Sequence, residues 1–167
     1  MYAGPGLNRP VLQVYTMPAG LLDKLLKDRP KTASEVVAKV VAALESLETP
    51  QKEQQVEKAL ESITKYLAHA KVFLFGDEEH EVSKDSVIQL AMDACQTDML
   101  YLLVKHLGEL DFETRKDAAQ VFGATVRIRD NDDRCPGAAY VKTRPYIMDK
   151  LFQGCVPHAR VPGPVVQ

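Results

Sequence analysis

Tryptophan is absent from these 167 residues, cysteine occurs three times, and no proline lies between Gln51 and Cys135. Cys95, Cys135 and Cys155 cannot all pair internally, and none forms a C-x-x-C with a neighbour. That argues against a disulfide framework or a zinc knuckle and fits a reducing, cytoplasmic setting. Charge of one sign is also missing. Lys plus Arg total 21 and Asp plus Glu 23, a net charge of −2, so the electrostatic footprint of a nucleic-acid binder is not there. Apolar runs such as Met99 to Val104 fall far short of the roughly 20 residues that cross a bilayer, so no membrane span is expected. At the N-terminus, Val11 to Tyr15 is too short and mixed for a signal-peptide core.

What is present is a 46% hydrophobic chain, ample for the core of one domain. The proline-free middle can be largely helical. Thr32-Ala-Ser-Glu35 is a capping box, followed by Val37, Val40, Val41, Leu44 and Leu47 on one helical face. Thr49-Pro50 predicts the start of a second helix. Its apolar positions from Val56 through Ile63, Leu67, Ala70 and Leu74 keep the period, and Gly76 follows its end. Ser83 is placed to cap a third helix, Thr97 a fourth running to Leu107 with Gly108 stopping it, and Asp111 a fifth carrying Ala118, Val121, Phe122, Thr125 and Val126. Residues 137 to 154 read as one more helical unit interrupted at Pro145. The fold class is therefore all-α. Helices in short-linked succession suit a closed bundle or armadillo- or HEAT-like repeats, and periodicity alone does not choose among these.

Catalytic patterns are missing. No G-x-S-x-G, P-loop or dinucleotide fingerprint occurs, and His69, His80, His106 and His158 are too far apart for a local ligand pair. The acidic stretches beginning at Asp77 and Asp130 fail the EF-hand pattern, since Val82 and Cys135 stand where it requires glycine. No metal, cofactor or enzymatic activity is expected. Arg115, Lys116 and Arg127 form a small basic patch on the fifth helix, readable as ordinary surface charge or as a contact for an acidic partner.

Arg29-Pro-Lys-Thr-Ala-Ser-Glu-Val-Val37, Phe73-Leu-Phe-Gly76, Leu110-Asp-Phe-Glu-Thr-Arg-Lys-Asp-Ala-Ala-Gln-Val-Phe122, Ala139-Tyr-Val141 and Ile147-Met-Asp-Lys-Leu-Phe-Gln-Gly154 occur in the order found in one family. Over residues 17 to 154 the chain resembles the N-terminal part of the calcium-binding protein 39 family, also called the mouse protein twenty-five family. The resemblance implies an armadillo-like helical solenoid without catalytic activity. It also implies a scaffold that binds a sterile-twenty-like serine/threonine kinase or pseudokinase and holds it in an active-like state. Family members carry further repeats, with much of the kinase-gripping surface in them. The array is thus expected to be truncated, with Arg115, Lys116 and Gln120 as its candidate partner contacts. Residues 1–16 are expected to be a disordered extension and residues 155–167 an irregular tail. An uncovered last unit implies a chain that is marginally stable or self-associates; the alternative role is a fragment that lacks kinase activation and acts as a competitor or a non-functional product.

Overall fold

Thr32 sits in extended backbone and its hydroxyl accepts from the Glu35 amide at 3.2 Å, opening α1 (Ala33–Ser46). Glu35 reaches back one residue further than a standard capping box, to the Lys31 amide at 2.7 Å. The computed structural model describes residues 30–49, 52–77 and 81–155, and among them there are seven α-helices, one 3₁₀ turn and no strand. Val36, Val37, Val40 and Leu44 form the buried stripe of α1, as their spacing requires.

The second helix, α2 (Glu53–Phe75), buries Ala59, Ile63, Leu67, Ala70 and Leu74. Its N-cap is Lys52, whose amide is met by the Gln55 side chain at 3.3 Å. Thr49 lies in a bend before it and is not the cap that the sequence suggests; Pro50 falls outside the described residues. Gly76 ends α2 with φ 74°, a conformation that a Cβ would penalise. The acidic stretch after it lies partly outside the described residues.

Ser83 opens α3 (Lys84–Gln96), accepting from the Ser86 amide at 3.5 Å. The next corner corrects the sequence reading. Thr97 closes α3, its hydroxyl donating to the Asp93 carbonyl at 2.8 Å. The N-cap position of α4 (Met99–His106) is Asp98, at φ 55° and without a side-chain cap bond, since a link of only two residues must bend the backbone tightly. The path turns by 68° there. Gly108 lies inside a 3₁₀ turn, Leu107–Glu109, that continues α4. Then come α5 (Phe112–Arg127), α6 (Pro136–Lys142) and α7 (Pro145–Cys155).

Helices pack on those three places further along the chain: α1 on α4, α2 on α5, α3 on α6, and α4 on α7. That register defines a three-helix unit and selects the armadillo-like alternative over a closed bundle or a two-helix HEAT unit. Two-residue links recur between α3 and α4 and between α6 and α7, each containing a threonine, Thr97 and Thr143, that bonds back onto its helix. These links set the phase. The complete unit is α3–α4–α5, preceded by second and third helices α1 and α2 and followed by first and second helices α6 and α7.

A single core runs through the stack, with Leu44, Ile63, Leu67, Leu90, Met99, Leu100, Leu103, Val121 and Ile147 fully buried. Each such side chain contributes about 1.5–3 kcal/mol. Successive units are also tied by polar contacts. Tyr140 of α6 donates to the Asp98 carboxylate at 2.6 Å, and Arg144 reaches the same oxygen at 3.1 Å while lying over the Tyr140 ring. Burial of the Tyr140 hydroxyl and its bond to Asp98 raise its pKa. Tyr101 and Tyr146, on stacked α4 and α7, meet edge to face at 5.0 Å.

Candidate functional site

Third-position helices α2 and α5 lie side by side, and α5 carries the candidate contacts. Asp111 fixes where α5 begins: its carboxylate accepts from the Thr114 amide at 2.9 Å and from the Thr114 hydroxyl at 2.8 Å. These bonds, the amide first, hold the Asp111 carboxyl below the usual carboxylate range. The Thr64 and Thr114 hydroxyls stand 2.8 Å apart across the α2–α5 seam, and Lys71 pairs with Asp117 at 2.6 Å further along it. With this side clamped to α2, and Thr114, Ala118, Val121 and Thr125 facing the core, the orientation of every other α5 side chain follows.

Arg115, Lys116 and Gln120 are all exposed, but they do not form one contact. Lys116 and Gln120 are one turn apart on the stripe opposite the core, and Arg127 continues that stripe. Lys116 pairs with Glu113 at 3.2 Å. Arg115 is rotated from Lys116 by about 100°, onto the flank occupied by Phe112, Ala119 and Phe122. That flank is apolar. Phe112 is 71% exposed, and Ala119 and Phe122 help line a small cavity of about 110 Å³ with Leu103, Leu107 and Leu151; Phe152 of α7 is also 64% exposed. Arg115 therefore belongs to the end of the stack and Lys116–Gln120 to its side.

Among the described residues no three His, Cys, Asp or Glu side chains converge on a metal-sized space. Burial pushes the Cys95 thiol up to about 11, making it a poor nucleophile at neutral pH. Asp130 is held below the usual range by the Arg134 amide and by further bonds from the Arg134 side chain and the Asp132 amide. The acidic loop is thus satisfied by its own residues. The buried His106 ring joins Glu109 at 2.8 Å and Glu48 at 3.4 Å, with Lys105 also on Glu48 at 2.6 Å; this cluster ties the end of α1 to α4. Sequence inspection missed the links of His106 and Lys105 to Glu48, along with those of Lys71 to Asp117 and of Tyr140 and Arg144 to Asp98, because in each the partners stand more than 40 residues apart with no local pattern.

The fold defines a class: an all-helical protein of stacked three-helix repeats. Residues 24–161 match the family model described as Mo25-like, and the chain belongs to the Mo25-like family. It is 36% identical over 137 residues to MO25-like protein 2 of Caenorhabditis elegans, covering 80% of this chain and 40% of the relative. It is 37% identical over 112 residues to the degreening-related gene dee76 protein of Auxenochlorella protothecoides, covering 67% and 35%. Against calcium-binding protein 39-like of Mus musculus it is 32% identical over 124 residues, covering 74% and 36%. The chain thus spans between a third and two-fifths of the length of these relatives. No single described helix is long and apolar enough to cross a membrane.

Proposed function

We propose that this chain is part of a non-catalytic scaffold that binds a serine/threonine kinase or pseudokinase of the sterile-twenty-like class and favours its active-like conformation. The observation that carries the reading is the exposed stripe Lys116–Gln120–Arg127 on α5, held in fixed register beside α2 by Thr64–Thr114 and Lys71–Asp117, in a chain of the Mo25-like family. A rigid face suits the task. A scaffold shifts a kinase only by the difference in its affinity for the two states, and a pre-ordered surface spends little of that difference on its own ordering. The stripe is mixed and basic, so its natural counterpart is an acidic or amide-rich patch on the kinase.

Biolayer interferometry against a panel of sterile-twenty-like kinase and pseudokinase domains tests this reading. Saturable binding to at least one is expected, weakened about tenfold or more by Lys116→Glu with Gln120→Glu. Absence of binding across the panel, or binding that ignores both substitutions, contradicts it.

A further inference from the structure

The proposed kinase contact leaves one of the three candidate residues unused. Arg115 is exposed, and among the described residues no carboxylate pairs with it. The nearest acids on α5 are engaged elsewhere: Asp111, one turn before it, with the Thr114 amide and hydroxyl, Glu113 with Lys116, and Asp117 with Lys71. An uncompensated cation thus stands one turn before Ala119 and two before Phe122 on a single stripe of α5, with about 5–6 Å between Cβ atoms one turn apart. Ala119 and Phe122 belong to the cavity of about 110 Å³, whose lining side chains are all apolar. Leu103 and Ala118 are buried at its floor, while Leu107, Phe122 and Leu151 are half-buried and Ala119 is exposed, so it opens outward.

We infer that this cavity and Arg115 together form a docking site for an acidic peptide segment of a protein partner, anchored by one aliphatic side chain in the cavity with a flanking carboxylate on Arg115. Charge complementarity selects this occupant. A guanidinium without a counter-ion attracts an anionic segment and repels a basic one, and its planar fork suits a carboxylate bidentately. Size selects the anchor. A cavity of roughly 150 Å³ is what holds a benzene ring, so the smaller one here seats a single aliphatic side chain. Phe112, exposed three residues before Arg115, extends the apolar surface along which the rest of the segment lies. This site is separate from the Lys116–Gln120 stripe and does not depend on the kinase reading.

Titrating the ¹⁵N-labelled 167-residue chain, dilute enough to be monomeric, with a glycine–serine decapeptide that carries a central Asp-Leu-Glu tests the inference. Saturable shifts are expected at the amides of Leu107, Ala119 and Phe122, weakened by added salt. Peptides with Lys-Leu-Lys or Asp-Gly-Glu at the centre should leave those amides unmoved, the first for want of a carboxylate and the second for want of an anchor. Arg115→Glu should lower the affinity about tenfold or more. Arg115→Gln, a neutral change at an exposed position, should lower it by a smaller factor with the circular dichroism and melting temperature intact. Ala119→Leu, which fills the rim of the cavity, should also weaken binding, whereas Lys116→Glu should leave it unchanged. The inference is overturned if the Asp-Leu-Glu peptide causes no shifts, if its shifts map elsewhere, or if the Lys-Leu-Lys peptide or the Arg115→Glu chain binds equally well. It is likewise overturned if nuclear Overhauser contacts to Phe122 show residues 156–167 or a second copy filling the cavity.

Discussion

Asp111 shows how one side chain can position a functional face. It orders the first turn of α5 through Thr114, and Thr114 in turn meets Thr64 on α2, so the cap and the seam share a residue. Asp111→Ala should cost about 1 kcal/mol, which for a chain of this size lowers the melting temperature by roughly 2–4 °C. The pH dependence has a definite sign. Because the folded-state pKa is depressed, the carboxylate stabilises above its unfolded value, and that contribution disappears as pH falls through the folded pKa. Melting temperatures of wild type and variant should therefore converge below about pH 4; a gap that stays constant into acid would show that the charge of Asp111 plays no part. Residue-level signals of this kind were legible in the sequence where donor and acceptor are neighbours, as at Thr32, Ser83 and Asp111. The α3–α4 corner misled because the Thr97 hydroxyl bonds back to Asp93 instead of forward, and Asp98, which holds the N-cap position of α4, makes no cap bond with its side chain but gives its carboxylate to Tyr140 and Arg144.

Helices are the scale at which the sequence was most informative: the apolar periods place Val37, Val40 and Leu44 of α1, Ile63, Leu67 and Leu74 of α2, and Ala118, Val121 and Thr125 of α5 in the core, although Val41, Leu47, Phe122 and Val126 are only half-buried, and Val36 and Thr114 are buried instead. Periodicity carries no information on which helix stacks on which. The three-place register rests on contacts without local pattern, and so does the close approach of consecutive helices such as α5 and α6 at Gly137. A Cβ at Gly137 would lie 2.6 Å from the Thr125 carbonyl oxygen and 2.7 Å from the Val126 Cα, both backbone atoms that cannot rotate away. Gly137→Ala should thus destabilise by about 1–3 kcal/mol, despite the better helix propensity of alanine, and should speed hydrogen exchange in α6 and α7 ahead of α1 and α2. An unchanged or higher melting temperature would mean that α6 does not rest on α5 this closely. The candidate contacts follow the same division. Sequence could place Lys116 and Gln120 opposite the apolar stripe of α5, while Arg115 goes to the end of the stack because Lys71–Asp117 and Thr64–Thr114 fix the helix rotation.

At the scale of the whole molecule, the described stack runs from α1 and α2 at one end to α7 at the other. Phe112 of α5 and Phe152 of α7 are its most exposed aromatics, at 71% and 64%. Large exposed aromatics mark an association surface, so the 167-residue chain expressed alone should gain mass with concentration in light scattering. Phe112→Glu with Phe152→Glu should return it to monomer, and a monodisperse wild-type monomer at every concentration would refute this. Between the ends runs the α2–α5 side, on which the proposed scaffold role depends. Hydrogen exchange on this chain, with and without a sterile-twenty-like kinase or pseudokinase domain that binds it, decides whether that side is the working surface. Slowed exchange concentrated in α5 from Thr114 to Arg127 and in the facing part of α2 is the predicted result; protection confined to other helices, with α5 unchanged, would contradict it.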